Sequence, residues 1–483
     1  MRPLLTADEA RALERAAEAG GTSVETLMER AGHAVARVAV RLARGAYGRR
    51  AVIVCGKGNN AGDGFVAARY LDAWGMGVAV LLASDGFREP ADLNFARLSR
   101  TGVRVLPFSD DLADRELGRA DVAVDAIFGL GLRGAPTAPY SDLIRAFGRH
   151  ARIPRVAVDI ASGVESDTGA VPGDAVRATV TVAFGAPKIG SFLPPGAYVA
   201  GDVEVADIGF PAAAGLEPPR PPVSLLEEAD VELPAPRGPE AHKRDAVLLV
   251  VAGSRRMAGA PSLVAAGAYR GGAGLVTIAV PEEILPVVQG AVREATFLPL
   301  PAGPGGSPSA ASWDLIEERL DGFHAVAVGP GLSTDGDTPE LVRRIIRESP
   351  VPVVGDADAI NAFAGRPRDL ADRKANLVIT PHAGELARLL GRRSDQIGGD
   401  PLGSLREAAE TIDAAVLLKG WRTLLCDPDG RIRVSTTGTP VLATAGTGDV
   451  LTGLIGAFAA RKGPEGVPAR LDDAAIAAAH VHG

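Results

Sequence analysis

Two glycine-rich stretches in this 483-residue chain pair bare backbone with polar side chains able to hold phosphate, a polar ring or a cation. The first is Gly56-Lys57-Gly58-Asn59-Asn60-Ala61-Gly62-Asp63-Gly64, where Asn59, Asn60 and Asp63 read as clustered on one short loop. The second, Gly446-Thr447-Gly448-Asp449, leads into an apolar run. Its glycines let a ligand approach the backbone, and the first free N–H groups of the helix behind it make an anion site. Asp449 then reads either as an N-cap or as a base beside a transferring phosphoryl group. Between these stretches, Asp125 and Asp159 each close an apolar strand, and Lys188 follows a third. Asp63, Asp125 and Asp159 are expected to converge on one sheet edge with Lys188 nearby. Asn60, Asp125 and Ser162 offer hard oxygen donors for an alkali or alkaline-earth cation. Phe128-Gly129-Leu130-Gly131-Leu132-Arg133-Gly134 adds another glycine-rich turn with a phosphate-capable arginine. In the second half, His382 follows a strand end, as a satisfied structural residue or a ligand contact. Lys419-Gly420 follows another.

Strand ends and helix starts must position these groups. Residues 51–55 are continuously apolar, as in strands buried within a parallel sheet, and a helical pattern runs on to Trp74. Strand, glycine-rich turn and helix form the phosphate-binding arrangement. The spacing matches neither the Walker A loop nor the dinucleotide fingerprint, so a plain tight turn is the alternative. Further strands at 78–82, 103–106, 122–125, 156–159 and 178–184 alternate with helices, the signature of a doubly wound sheet. Ahead of them, Thr6-Ala7-Asp8-Glu9 reads as the capping box of a first helix, and a second, from Ser23 to Leu42, as a packing face. A proline-rich stretch over 214–239 reads as a semi-rigid linker between domains at 1–213 and 240–483. The α/β grammar restarts beyond it, with strands predicted at 246–252, 274–280, 325–328, 351–354, 377–379 and 415–418. A hairpin turn at Asp427-Pro428-Asp429-Gly430 precedes Gly446.

Composition narrows the partners. The net charge of −8, with acidic and basic residues interspersed, argues against nucleic acid. The two cysteines, Cys55 and Cys426, lie in apolar runs and read as buried thiols in a reducing compartment. No apolar run is long enough to span a bilayer, and the N-terminus lacks a signal peptide's apolar region. A cytoplasmic protein with no membrane partner is expected.

Taken together, these motifs resemble the bifunctional NAD(P)H-hydrate repair family, in which a Rossmann-like epimerase domain is fused to an ADP/ATP-dependent, ribokinase-like dehydratase. Leu27-Met28-Glu29-Arg30-Ala31-Gly32, the Asn59 turn, Asp159 to Gly163, Gly259-Ala260-Pro261, Gly329-Pro330-Gly331, Asp356 to Asn361, Thr380 to Glu385 and the Gly446 turn carry the likeness in the family's order. The resemblance implies that Asn59, Asn60, Ala61, Gly62 and Asp63, with Gly129, Leu130, Gly131, Leu132, Arg133, Gly134 and Ala135, hold the hydrate. Asp159 would contact it with Lys188 as acid/base partner, and Asn60, Asp125 and Ser162 would ligate potassium. In the second domain it implies that Gly331, His382 and Asp449 meet the hydrate, Asp449 deprotonating its hydroxyl. Lys419, Gly420, Thr423, Gly446, Thr447 and Gly448 would hold ADP or ATP, with magnesium. A homo-oligomer is the expected assembly, and a GC-rich bacterial gene the expected source. Three departures stand out. Ala61 occupies a usual glycine, and His242-Lys243-Arg244-Asp245 replaces a usual His-Lys-Gly. Relatives of this kind also continue past Gly483, so a missing tail or a differently closed second domain is expected. The rival readings are a ribokinase-like small-molecule kinase with a non-catalytic first domain, and a first domain serving only as a scaffold.

Overall fold

The computed structural model describes residues 1–84, 86–211, 222–461 and 469–483. It divides into two compact units, Arg2–Val223 and Ser224–Gly483. Within the proline-rich stretch, residues 214–221 lie outside the described residues. Beyond them Leu226 is buried, and its N–H donates to Val434 O at 2.9 Å.

The first unit contains strands β1 (Arg50–Cys55), β2 (Gly77–Leu82), β3 (Arg104–Pro107), β4 (Val122–Ala126), β5 (Arg155–Val158), β6 (Val180–Phe184) and β7 (Asp202–Ala206). They form a parallel sheet in the order β3-β2-β1-β4-β5-β6-β7. Its central strands are apolar on both faces because helices cover both, and Ile53, Val54, Val122 and Val124 are fully buried. The strand order reverses between β1 and β4, and the crevice beyond that switch point is where such sheets bind ligands. Helix Ala7–Ala19 opens with the expected box: Thr6 N–H donates to Glu9 Oε2 at 2.7 Å and Glu9 N–H to Thr6 Oγ1 at 3.3 Å. Helix Val24–Leu42 packs on helix Asn59–Ala73 at Gly32, where a Cβ would lie 2.4 Å from Val66 Cβ.

The second unit contains β8 (Val247–Val251), β9 (Leu275–Pro281), β10 (Thr296–Leu300), β11 (Ala325–Val328), β12 (Val353–Gly355), β13 (Leu377–Ile379), β14 (Ala415–Leu418), β15 (Thr423–Cys426) and β16 (Ile432–Ser435). These run in the order β16-β15-β14-β13-β12-β11-β8-β9-β10, parallel from β14 through β10, with β15 antiparallel to both neighbours. Gly430, at φ +81°, turns the expected hairpin between β15 and β16. Strand β10 was not marked by its sequence, since Pro299 and partly exposed neighbours break the apolar run. Both cysteines are free and buried, and burial pushes both thiols up. Among the described residues, no helix is long and apolar enough to cross a membrane.

Helix Thr447–Ala459, which carries the second glycine-rich turn, lies against helix Ala260–Arg270 through glycines on both sides. A Cβ on Gly453 would sit 1.9 Å from Val264 O, and one on Gly267 2.2 Å from Val450 O. Backbone cannot yield at that distance. Gly453→Ala is therefore expected to destabilise the second unit by about 1–3 kcal/mol or more through overpacking. Calorimetry should show its transition lowered, and the first unit's unchanged.

Candidate functional site

In the first unit the chain leaves β1 at Cys55, turns in residues 56–58 and enters helix Asn59–Ala73. Asn59 to Asp63 are thus the helix's first turn rather than the loop expected from the glycines. The small residues serve packing: a Cβ on Gly62 would lie 2.5 Å from Met28 Sδ, and one on Gly64 2.8 Å from Ala126 Cβ. Ala61 and Gly62 are accordingly buried within protein. Asn59, Asn60 and Asp63 instead line a cavity of about 390 Å³ with Gly129, Leu130, Gly131, Leu132 and Asp159. Arg133, Gly134 and Ala135 fall outside that wall. Arg133 pairs with Asp167 at 3.3 Å, Gly134 N–H donates to Glu165 Oε1 at 3.0 Å, and Ala135 lies against Gly173.

Lys188, only 1% exposed, donates to Asp159 Oδ1 and to the carbonyls of Phe184 and Ala186, each at 3.2 Å. Asp159 Oδ1 also accepts the Phe184 N–H at 3.0 Å, while its Oδ2 has no hydrogen bond among the described residues. Asp159 sits at φ +66°, a left-handed conformation that a non-glycine residue adopts at a cost. Burial, helped by Asp159 and Glu14 and opposed by Lys188, makes Asp63 hold its proton far more tightly than an ordinary carboxyl.

Asp125 is fully buried at the end of β4. It accepts from Ser162 Oγ at 2.6 Å, Ser162 N–H at 2.8 Å and Ile127 N–H at 3.3 Å. Asn60 Nδ2 donates to Phe128 O at 3.1 Å, and Phe128 N–H to Ser162 Oγ at 2.9 Å. Burial outweighs those bonds and raises Asp125 to about 6. Asn60, Asp125 and Ser162 are thus linked through the Phe128 backbone, around a carboxylate that no cationic side chain among the described residues pairs with.

In the second unit Gly446, at φ +90°, precedes Thr447 with no side-chain cap. Asp449 is the third helical residue, so the N-cap reading gives way; the turn is held by the Thr447 hydroxyl, whose Oγ1 lies 3.0 Å from both Leu442 O and Thr444 O and can donate to either. Lys419, at the end of β14, donates to Asp356 Oδ1 at 2.6 Å and lies 4.0 Å from Glu385 Oε2. Asp356 Oδ2 accepts from Thr452 Oγ1 at 2.8 Å, and that hydroxyl lies 3.0 Å from Gly448 O. A Cβ on Gly448 would lie 3.4 Å from Lys419 Nζ. Burial first, then Asp356, raises Asp449 to about 6 against the opposing pull of Lys419. Lys419, Gly420, Thr423, Thr447 and Gly448 line a cavity of about 480 Å³. Gly446 is outside that wall, against Leu263, and Gly331 (φ +67°) faces Met257. His382 caps helix Ala383–Leu390, its Nδ1 accepting from Gly384 N–H at 2.9 Å and Glu385 N–H at 3.3 Å. That satisfies the structural alternative for this histidine while leaving its side chain half-exposed. Arg244 sits exposed in a short turn. Asp356, Glu385 and Thr452 carried no assigned function in the sequence. The strand-end position of Asp356, like those of Asp125 and Asp159, was the available signal.

The chain matches the family described as NAD(P)H-hydrate dehydratase over residues 248–483, and YjeF-related protein N-terminus over 24–190. Proteins named bifunctional NAD(P)H-hydrate repair enzyme Nnr are similar to it end to end. That of Salinibacter ruber is 40% identical, covering 100% of this chain and 91% of its own. Those of Moorella thermoacetica and Thermofilum pendens are 39% and 38% identical, over 95% and 93% of this chain and 86% of theirs. A solved structure, the ADP/ATP-dependent NAD(P)H-hydrate dehydratase of Bacillus subtilis co-crystallised with ATP and Mg²⁺, is 29% identical over 52% of this chain and 83% of its own, with a TM-score of 0.44.

The charges around Lys419 set the proton affinity of Asp449. The Asp449 carboxyl should titrate near pH 6 by carbon NMR. Its midpoint should fall in Asp356→Asn, which removes a negative neighbour, and rise in Lys419→Met, which removes the positive one. An unmoved midpoint in both variants would dissolve the cluster.

Proposed function

Because the chain belongs to the family of bifunctional NAD(P)H-hydrate repair enzymes, we propose that it repairs hydrated nicotinamide cofactors in two steps. The first unit interconverts the R and S hydrates of NADH and NADPH at C6; the second returns the S form to NAD(P)H while consuming ADP or ATP. One observation supports both halves: each unit holds a Lys–Asp pair, Lys188–Asp159 and Lys419–Asp356, beyond the carboxyl ends of its parallel strands. A kinase with an idle first domain leaves the first pair without a function.

In the second unit hydroxide is a poor leaving group, so the C6 hydroxyl is phosphorylated before it departs. Asp449 takes the hydroxyl proton as the oxygen attacks the terminal phosphoryl of the nucleotide. The N–H groups at the head of helix Thr447–Ala459 and the Lys419 ammonium stabilise the charge on that phosphoryl. The C6–O bond then breaks with phosphate as leaving group, and loss of a C5 proton restores the ring double bond. Among the described residues, no three acidic or histidine side chains gather to hold a metal alone. Magnesium would enter with the nucleotide's phosphates.

In the first unit Asn59, Asn60 and the Gly129 turn hold the hydrate against Asp159, which Lys188 fixes in place. The buried Asp125 carboxylate, Ser162 hydroxyl, Asn60 amide and Phe128 carbonyl fit an alkali cation by donor type and by the lack of a cationic partner. Potassium there would supply positive charge to polarise the bound hydrate. Two buried thiols agree with a reducing, cytoplasmic setting.

With ADP and a mixed R and S hydrate, the protein should restore absorbance near 340 nm from both epimers; recovery from the S form alone would remove the epimerase. Asp449→Asn should slow NADH formation roughly a hundred- to ten-thousandfold, yet still equalise R and S on a chiral column. Since Asp449 must be ionised to act, the kcat/KM of dehydration should fall as pH drops through about 6. A profile flat across that range would assign the base elsewhere.

A further inference from the structure

The sequence marks helix Ala7–Ala19 only by its capping box, and part of it packs: Leu13 and Ala10 are buried with Ala186. Glu14 is different. It lines the 390 Å³ cavity and also a smaller cavity behind it that reaches Lys188, sharing both walls with Asn59, Asp63 and Asp159. The helix is fixed there by the pairing of Leu5 with the Lys188 segment: Leu5 N–H donates to Pro187 O at 2.9 Å and Ile189 N–H to Leu5 O at 3.1 Å. Ala7 N–H adds a bond to Asp167 Oδ1 at 2.6 Å. The Glu14 carboxyl has no hydrogen-bond partner among the described residues, and Glu14 is exposed, whereas Asp63 is 9% exposed.

We infer that Glu14 is a catalytic acid–base of the first site, an inference that rests on the epimerase reading above. A carbinolamine epimerises through its iminium. The Glu14 carboxyl gives its proton to the C6 hydroxyl and the C6–O bond breaks. Water leaves, and the ring nitrogen lone pair closes the C=N bond. Water then adds to the other face of C6 and loses a proton to Asp159 Oδ2, which has no hydrogen bond among the described residues. Asp159 gives that proton to solvent and solvent returns one to Glu14 through the open cavity, so atoms and charge balance over the cycle. The groups facing Glu14 suit a proton donor. Packing first, then Asp159 and Glu18, raises its proton affinity; Lys188 and Arg11 oppose them.

The test measures R to S conversion on the full-length protein by chiral chromatography without nucleotide, with the first unit's calorimetric transition as control of folding. Glu14→Gln should lower kcat by roughly a hundredfold or more while KM stays within about twofold, and Glu14→Asp should recover part of the rate. The wild-type rate should fall as pH rises through the Glu14 titration, and that limb should be absent from Glu14→Gln. Conversion by Glu14→Gln at the wild-type rate, or a loss confined to KM, overturns the assignment. A wild-type protein that dehydrates the S form and never consumes the R form overturns the epimerase reading itself.

Discussion

An ammonium group taken out of water costs several kcal/mol unless its three protons find acceptors, and the first unit is arranged around meeting that demand at Lys188. Asp159 Oδ1 and the carbonyls of Phe184 and Ala186 take all three. To bring its carboxylate there, the chain leaving β5 accepts a left-handed residue, at a cost of about 1–3 kcal/mol. The N-terminal segment is drawn in as well, since Leu5 bonds to both sides of Lys188. Satisfying one buried charge thus fixes the end of β5, the end of β6 and the helix that brings Glu14 to the cavity.

The second unit places the same two residue types in a different state. Lys419 keeps 22% of its side chain exposed while Asp356 beneath it keeps 2%. Among the described residues, one carboxylate oxygen lies within hydrogen-bonding distance of its ammonium, and Glu385 remains at 4.0 Å. Donors are left over, next to the free N–H groups that head helix Thr447–Ala459. An anion can complete this site, whereas the ammonium of Lys188 is already saturated by protein. The first lysine therefore acts by holding Asp159, and the second is free to act on a ligand.

The alternation of apolar runs and glycine turns made both parallel sheets legible, because strands covered on two faces have to be apolar at every position. The strand-end carboxylates were legible for the same reason: Asp125, Asp159 and Asp356 interrupt runs that would otherwise continue. Periodicity could not say which glycines face a ligand. Gly62 and Gly453 are small because another element presses on them, which is a tertiary fact. Nor could it separate Asn59, on the cavity, from Ala61, inside the protein, once the loop proved to be a helical turn. Glu14 was hidden by an ordinary amphipathic pattern, since one of the four carboxylates of helix Ala7–Ala19 carries no mark of the cavity it meets.

Asp125 and Asp449 show why residue type and strand-end position stop short of chemistry. Both are raised to about 6, by different balances. At Asp125 burial overcomes three hydrogen bonds that favour the charged form, and no neighbouring charge enters. A cation among its oxygen neighbours would pull it back down, so this site's protonation answers to ion binding. At Asp449 burial is joined by Asp356 and opposed by Lys419, so its affinity depends on how far Lys419 is shared. If a polyphosphate draws on Lys419, as the proposed function has it, that opposing pull would loosen, and the pH below which Asp449 is neutral would sit at or above that of the free protein.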